Sequence, residues 1–196
     1  KAERIADDET IVVKKKIKGR KVFIVRARGP GGRLGKLGKA VEIISKRNKI
    51  AKIISIDAAA KLEGEKTGSV AEGVGVAIGG GGVDRSYIEK IATDSDIPLD
   101  SVVVKMSQEE AIMPMRAEIL VALPRVLKIV ENNIANTSGR GDVIVVGVGN
   151  CTGIGNTKRE AQKAEELIKR NAAALKRQEK EEEKERTKTV NKIFRM

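Results

Sequence analysis

The sequence predicts an α/β fold, a three-layer α/β/α arrangement around a mostly parallel sheet. Strand-like apolar runs alternate with helix-like segments along the chain, which is typical of a sheet covered by helices on both faces. Forty per cent of the 196 residues are apolar but only three are aromatic, so the core must be built from aliphatic side chains. We expect one α/β domain over residues 1–155 and a C-terminal helix with a charged extension over residues 156–196.

A basic β-hairpin is predicted near the N-terminal end. Residues 11–17 and 21–27 are rich in β-formers and flank a Lys-Gly-Arg turn at 18–20. Three successive lysines at 14–16 suit an edge strand, where charge discourages pairing with another sheet. Residues 1–50 hold 16 lysines and arginines against five acids, so this end carries most of the net charge of +12.

Residues 21–57 read as a strand, a glycine loop, a helix over 36–48, a second strand over 50–56 and an acid. The loop and the acid supply candidate ligand contacts at Gly29, Gly31, Gly32, Arg33, Lys36 and Asp57. This order has the outline of a dinucleotide-binding unit, in which glycines allow a tight turn and the acid binds ribose. Its spacing, G-x-G-x-x-x-G, is a variant. The alternatives are another anion bound near Arg33 and Lys36, or a structural turn.

Asp57 is the first candidate for a functional acid. It ends a predicted strand, and ligands of open α/β sheets bind beyond the carboxyl ends of the strands. The competing interpretation is that Asp57 caps a helix that begins at Ala58.

The stretch 56–82 combines eight of the 20 glycines with charges of both signs. Asp57, Glu63 and Glu65 would offer oxygen ligands to Mg²⁺, although no fixed ligand spacing supports this hypothesis. Lys61 or Lys66 beside Thr67 or Ser69 would form a lysine-activated nucleophile. Whether the protein is an enzyme stays open, and the catalytic candidates are Asp57, Glu65 and Lys66.

The second half of the chain continues the alternation of helices and strands. We predict a helix over 83–94, a strand over 101–106, and a capping box from Ser107 to Glu110 that opens a helix kinked or broken at Pro114 and Pro124. The most apolar strand, 142–146, runs into a glycine-rich loop and then the long C-terminal helix. That loop adds four candidate ligand contacts: Gly147, Gly149, Asn150 and Thr152. Cys151 is either a small inert residue or a thiol activated by a helix N-terminus.

Composition excludes several classes of site. The sequence contains no histidine and one cysteine, so it forms no internal disulfide, no thiolate or imidazole metal cluster and no His-dependent triad. It holds no 18-residue apolar run. We expect a cytoplasmic chain from a thermophile. A segment before Lys1 would carry either a membrane anchor of the parent protein or another element of the fold.

Several stretches resemble an uncharacterised archaeal family, a domain of unknown function whose longer members carry an N-terminal hydrophobic segment. The resemblance covers most of residues 20–155 and is carried by residues 29–32, 56–68, 71–75, 105–111 and 147–150. More loosely, Ile56-Asp-Ala, Gly73-Val-Gly and Gly147-Val-Gly-Asn are similar to motifs of the spore germination protease and hydrogenase-maturation protease fold. That similarity implies a related fold. It implies no peptidase activity, because the chain has no histidine for the metal site.

Three loops should open on one edge of the sheet, at residues 29–36, 57–82 and 147–157. We therefore expect an anionic small molecule, a nucleotide or phosphorylated metabolite, with Lys61 and Thr67 as further contacts and Mg²⁺ or a nucleotide as cofactor. The alternatives are a peptidase-like hydrolase using Asp57 and Glu65, and an interaction module. The module's partners would be nucleic acid, an acidic membrane surface or a second copy of the chain.

Overall fold

The computed structural model describes residues 2–3, 9–29, 35–73, 83–148 and 151–193, without the side chains of 2, 3, 83, 84 and 188–193. In these residues seven strands and five helices follow one another along the chain. They are β1 (Ala2–Glu3), β2 (Thr10–Ile17), β3 (Arg20–Ala27), α1 (Leu37–Arg47), β4 (Ile50–Ala60), β5 (Val70–Gly73), α2 (Val83–Asp94), β6 (Leu99–Met106), α3 (Gln108–Ile112), α4 (Ala117–Ala135), β7 (Asp142–Gly147) and α5 (Lys158–Ile193).

The strands form one sheet in the order β1-β2-β3-β7-β4-β6-β5. The four central strands, β3, β7, β4 and β6, are parallel, whereas β1, β2 and β5 pair antiparallel at the two edges. Parallel neighbours need crossover connections, which α1, α2 and α4 supply. The predicted α/β class is confirmed.

Helices cover both faces of the sheet. On one face α1 and α2 bury an aliphatic cluster with Phe23, Val25, Ile53 and Ile144. On the other face α4 packs on Ile54 and its neighbours. Because side chains alternate along a strand, Ile53 and Ile54 serve opposite layers. The long charged helix α5 packs on α4, and Ala164 of α5 is buried in the fold.

The basic hairpin forms as predicted. Lys18 and Gly19 join β2 to β3 with φ angles of 48° and 81°, the left-handed backbone that a two-residue hairpin turn needs. The three lysines at 14–16 are exposed. Lys14 and Lys21 lie over the ring of Phe23, with 5.7 and 5.1 Å from each Nζ to the ring centroid.

Two expectations about element ends, a helix capped by Asp57 and a helix broken at Pro124, were wrong. β4 runs on to Ala60, so Asp57 does not cap a helix at Ala58. The pairing of Asp57 with Val103 and of Ala58 with Val104 holds this segment extended against the helix preference of three alanines. Pro124 lies inside a continuous α4, whose two halves are both fixed by packing on the sheet, whereas Pro114 does separate α3 from α4.

The described helices include none that is both long enough and apolar enough to cross a membrane.

Candidate functional site

The α1/α2 face of the sheet changes character from one side to the other. Over β3 and β7 it is aliphatic, but over β4 and β6 it carries Ser55, Asp57 and Ala59 beside Ser101, Val103 and Lys105. The register pairs these residues directly: Ser55 with Ser101, Asp57 with Val103, and Ala59 with Lys105. Ala71 and Gly73 of β5 extend the same surface. We call these eight residues the polar floor.

Asp57 lies where two neighbouring strands part. The pairing of β4 with β7 ends at Ile56 and Gly147, and Val148 N donates to Ile56 O (2.9 Å), while β4 and β6 stay paired to Ala60. Such a divergence at the carboxyl end of parallel strands is the usual place for a ligand.

The carboxyl group of Asp57 is largely removed from water. Its Oδ1 accepts a hydrogen bond from Ala58 N (2.7 Å). Burial raises the pKa of Asp57, and neither that hydrogen bond nor the nearby charge of Arg85 offsets the effect fully.

Arg85 is a buried cation whose charge acts on Asp57. It is the third residue of α2 and is only 8% exposed. Its Nε donates to Glu89 Oε1 (3.1 Å), the one ion pair it makes with the described residues, so its charge reaches Asp57 without a salt bridge between them. Arg85 was not among the site residues predicted from the sequence. A signal existed, because a cation in the first turn of a helix opposes the helix dipole and needs another reason to be there.

The rest of the polar floor is held by local contacts. The hydroxyls of Ser55 and Ser101 share a buried hydrogen bond of 2.8 Å. Lys105 Nζ lies 3.4 Å from Ala60 O and 3.6 Å from Glu65 Oε2. Glu65 also accepts from Leu62 N (2.6 Å), so this catalytic candidate closes its own turn.

Only part of the predicted ligand set falls in the described residues. Five of its members lie outside them: Gly31, Gly32, Arg33, Gly149 and Asn150. Gly29 follows β3 and Gly147 is the last residue of β7. Both lie at the carboxyl ends of the parallel strands, as Asp57 does. Lys36 precedes α1, its N–H donates to Thr10 Oγ1 (2.8 Å), and it gives α1 no side-chain cap.

The dinucleotide outline is not reproduced in space. β7 lies between β3 and β4, so the glycine loop after β3 and the acid on β4 stand two strands apart, about 9.6 Å by the usual strand spacing. In the dinucleotide unit these two strands are neighbours. Chain order alone concealed this insertion.

A second polar cluster surrounds Glu110. Lys61 Nζ donates to Thr67 Oγ1 (3.0 Å), Thr67 donates to the Glu110 carboxylate (2.9 Å), and Arg116 pairs with it at 2.9 Å. The predicted capping box is present, with Ser107 N donating to Glu110 Oε2 (2.8 Å). Although burial alone would raise the pKa of Glu110, these hydrogen bonds and charges lower it.

The geometry of that cluster argues against a lysine-activated nucleophile. Lys61 and Thr67 do meet, as one of the predicted pairings required. However, Lys61 is the donor, and a protonated lysine accepts no proton from Thr67. The cluster ties the loop 61–69 to α3, and we assign it a structural role.

The remaining candidates are dispersed. Glu63 and Lys66 are exposed, and Thr152 Oγ1 donates to Ile112 O (3.0 Å) away from the polar floor. In the described part of the chain no three carboxylate or cysteine groups converge, so Asp57, Glu63 and Glu65 do not meet as a metal cluster. Cys151 is buried, and burial raises its thiol pKa, which favours the inert interpretation.

Gly68 offers a test of how loop 61–69 is seated. Its φ is +85°, and a Cβ there would lie 2.5 Å from Glu118 O of α4. We expect Gly68→Ala to lower the free energy of unfolding by about 2–3 kcal/mol, from backbone strain and a clash with main chain. Chemical denaturation measures the change. Gly64→Ala is the matched control, since Gly64 has a similar φ of +83° with open space around it. Equal losses in both variants would contradict the contact with α4.

Comparison with known proteins adds a family and no activity. The family model described as "Domain of unknown function (DUF1512) C-terminal" matches residues 1–155. Searches of curated proteins and of solved structures found no match.

Proposed function

We propose that this chain, which belongs to the DUF1512 C-terminal family, binds an anionic small molecule on its polar floor. One observation carries the proposal. Arg85 is buried near the partly buried Asp57, and the two are not paired with each other. Burying both charges costs free energy. A ligand with an anionic group for Arg85 and a hydroxyl for Asp57 would recover that cost, and a nucleotide or phosphorylated metabolite carries both groups.

The roles follow from chemistry and position. The Arg85 guanidinium would bind phosphate or carboxylate through its two terminal nitrogens, since Glu89 occupies Nε. Asp57 would accept a hydrogen bond from a ligand hydroxyl, and Lys105 would add charge at the far end of the floor. The other predicted phosphate contacts, Gly31, Gly32, Arg33 and Gly149, lie outside the described residues and stay predictions from the sequence.

A hydrolase is the second candidate. Its support is the raised pKa of Asp57, because a carboxylate with a raised pKa is a better general base near neutral pH. Glu65, the second acid that a hydrolase would use, already contacts Leu62 and Lys105. Ligand binding is therefore better supported than hydrolysis.

A thermal-shift panel tests the binding proposal. Nucleotides, dinucleotides, sugar phosphates and Mg²⁺ are titrated against the wild type and against Arg85→Gln. A ligand that binds only the folded state raises the melting temperature by mass action. We expect at least one phosphorylated compound to stabilise the wild type and to lose its effect in Arg85→Gln. Lys46→Gln, a change on an exposed α1 lysine, is the matched control. No response across the panel, or an equal response in Arg85→Gln, would refute the proposal.

A further inference from the structure

An open groove lies between α4 and α5, on the face of the sheet opposite the polar floor. Its volume is about 1020 Å³. Its walls include three exposed aliphatic side chains, Val121 (78% exposed), Leu167 (47%) and Leu175 (59%). Surfaces of this kind on soluble proteins mark docking sites.

Four cations and two acids, Glu118 and Glu179, line the groove, so its rim is basic on balance. Lys66, Arg125 and Lys176 line it and form no ion pair with the described residues, whereas Arg116 is already paired with Glu110 and Glu118. An occupant should therefore present aliphatic side chains together with carboxylates.

The distal part of α5 has this chemistry. Residues 179–185 contain five glutamates and two lysines, and Val190, Ile193, Phe194 and Met196 follow them in the sequence. At 3.6 residues per turn, positions 164, 168, 172 and 175 share one stripe of the helix with 179, 182, 186, 190 and 193. This stripe is apolar at both ends and charged in the middle.

The same chain cannot bring these residues to its own groove. α5 is one continuous helix from Lys158 to Ile193. Ile193 therefore lies about 27 Å beyond Leu175 along the helix axis, at 1.5 Å per residue. We call residues 190–193 the tip of α5, and only another molecule can bring a groove of this kind to it.

We propose that two copies of the chain associate through antiparallel α5 helices, each tip lying in the α4–α5 groove of the other copy. Centring the pair at Glu179 places position 168 of one copy opposite position 190 of the other, so that Ile168 and Val190 meet. It also places Lys176 opposite Glu182 and Arg177 opposite Glu181. The apolar tip covers the apolar groove, and the acidic stretch meets the basic rim. This twofold arrangement uses one self-complementary surface, as most homodimers do.

Sedimentation equilibrium and light scattering on the full chain test the arrangement. We expect a particle of twice the 21.1 kDa chain mass that dissociates as salt is raised. Val121→Asp in the groove and Ile193→Asp in the tip should each yield a monomer with an unchanged melting transition of the α/β domain. Leu127→Asp is the matched control, since Leu127 is exposed on α4 (61%) outside the groove.

Mixing the two disrupted variants gives a sharper result. Val121→Asp keeps an intact tip and Ile193→Asp keeps an intact groove, so a mixture should recover a heterodimer with one of the two contacts. A wild-type chain that stays monomeric at about 100 μM overturns the proposal. A monomeric chain that binds vesicles of anionic phospholipid instead of a second copy overturns it as well. The proposal is also overturned if each of the two single variants still forms a dimer, or if the mixture of the two variants stays monomeric.

Discussion

Replacing Ile144 by alanine is expected to lower the free energy of unfolding by about 4 kcal/mol, the largest loss we expect from a single substitution. Ile144 is fully buried at the centre of β7, between Phe23 of β3 and Ile53 of β4. Strands and α1 surround it, so the site cannot collapse around the missing atoms. Urea denaturation followed by circular dichroism measures the change.

Ile144→Val separates this packing effect from other causes. It removes a single methylene and should cost about 1 kcal/mol. The slope of the unfolding transition should stay the same in both variants, because that slope reports the surface exposed on unfolding. A loss below 1 kcal/mol for Ile144→Ala would contradict the placement of β7 at the centre of the sheet.

Replacing Asp57 by asparagine is expected to stabilise the free protein and to abolish ligand binding. Because burial raises its pKa, Asp57 binds its proton more tightly in the folded state than in the unfolded state. The free energy of unfolding therefore falls as pH rises from below the pKa of Asp57 in the unfolded state, near 3.8, through its raised pKa in the folded state. It stays lowered at neutral pH. Asparagine is nearly isosteric and carries no charge.

The expected sign can be checked directly. At pH 7 the melting temperature of Asp57→Asn should exceed that of the wild type, and each kcal/mol corresponds to about 2–4 °C for a chain of this size. At pH 3 the Asp57 carboxyl is largely protonated in both the folded and the unfolded state, so the difference in melting temperature between the wild type and Asp57→Asn should shrink. Glu72→Gln, on the exposed opposite face of β5, is the control. If Asp57→Asn melted below the wild type at pH 7, the burial of the charged Asp57 carboxylate would not destabilise the free protein, which contradicts this prediction.

Much of the fold could be predicted because local patterns decide it. Alternating strands and helices, the Lys-Gly turn and the Ser107–Glu110 capping box each state their structure within a few residues. The end of β4 could not be placed in this way. Three alanines after Asp57 favour a helix, and only pairing with β6, which follows some 40 residues later, keeps them extended.

The candidate site could be predicted only where a local signal marked it. Asp57 was found because an acid at a strand end is a local signal. The polar floor needs the register between β4, β6 and β5, and chain order does not encode it. The insertion of β7 between β3 and β4 is equally invisible in sequence, and it separates two parts of the presumed dinucleotide unit. The alternation of Ser55, Asp57 and Ala59 with Ile54, Ile56 and Ala58 was the readable clue to a polar face.

Phosphorus NMR of the phosphorylated compound that stabilises the wild type in the thermal-shift panel tests the central claim most directly, since it observes the phosphates that Arg85 is proposed to bind. We predict broadened and shifted phosphorus resonances with the wild type and unperturbed resonances with Arg85→Gln at the same concentration. A triple Lys14, Lys15, Lys16→Gln variant controls for non-specific attraction to a chain of net charge +12, and it should behave as the wild type. Resonances that are unaffected by the wild type, or perturbed equally by Arg85→Gln, would contradict an anion site at the polar floor.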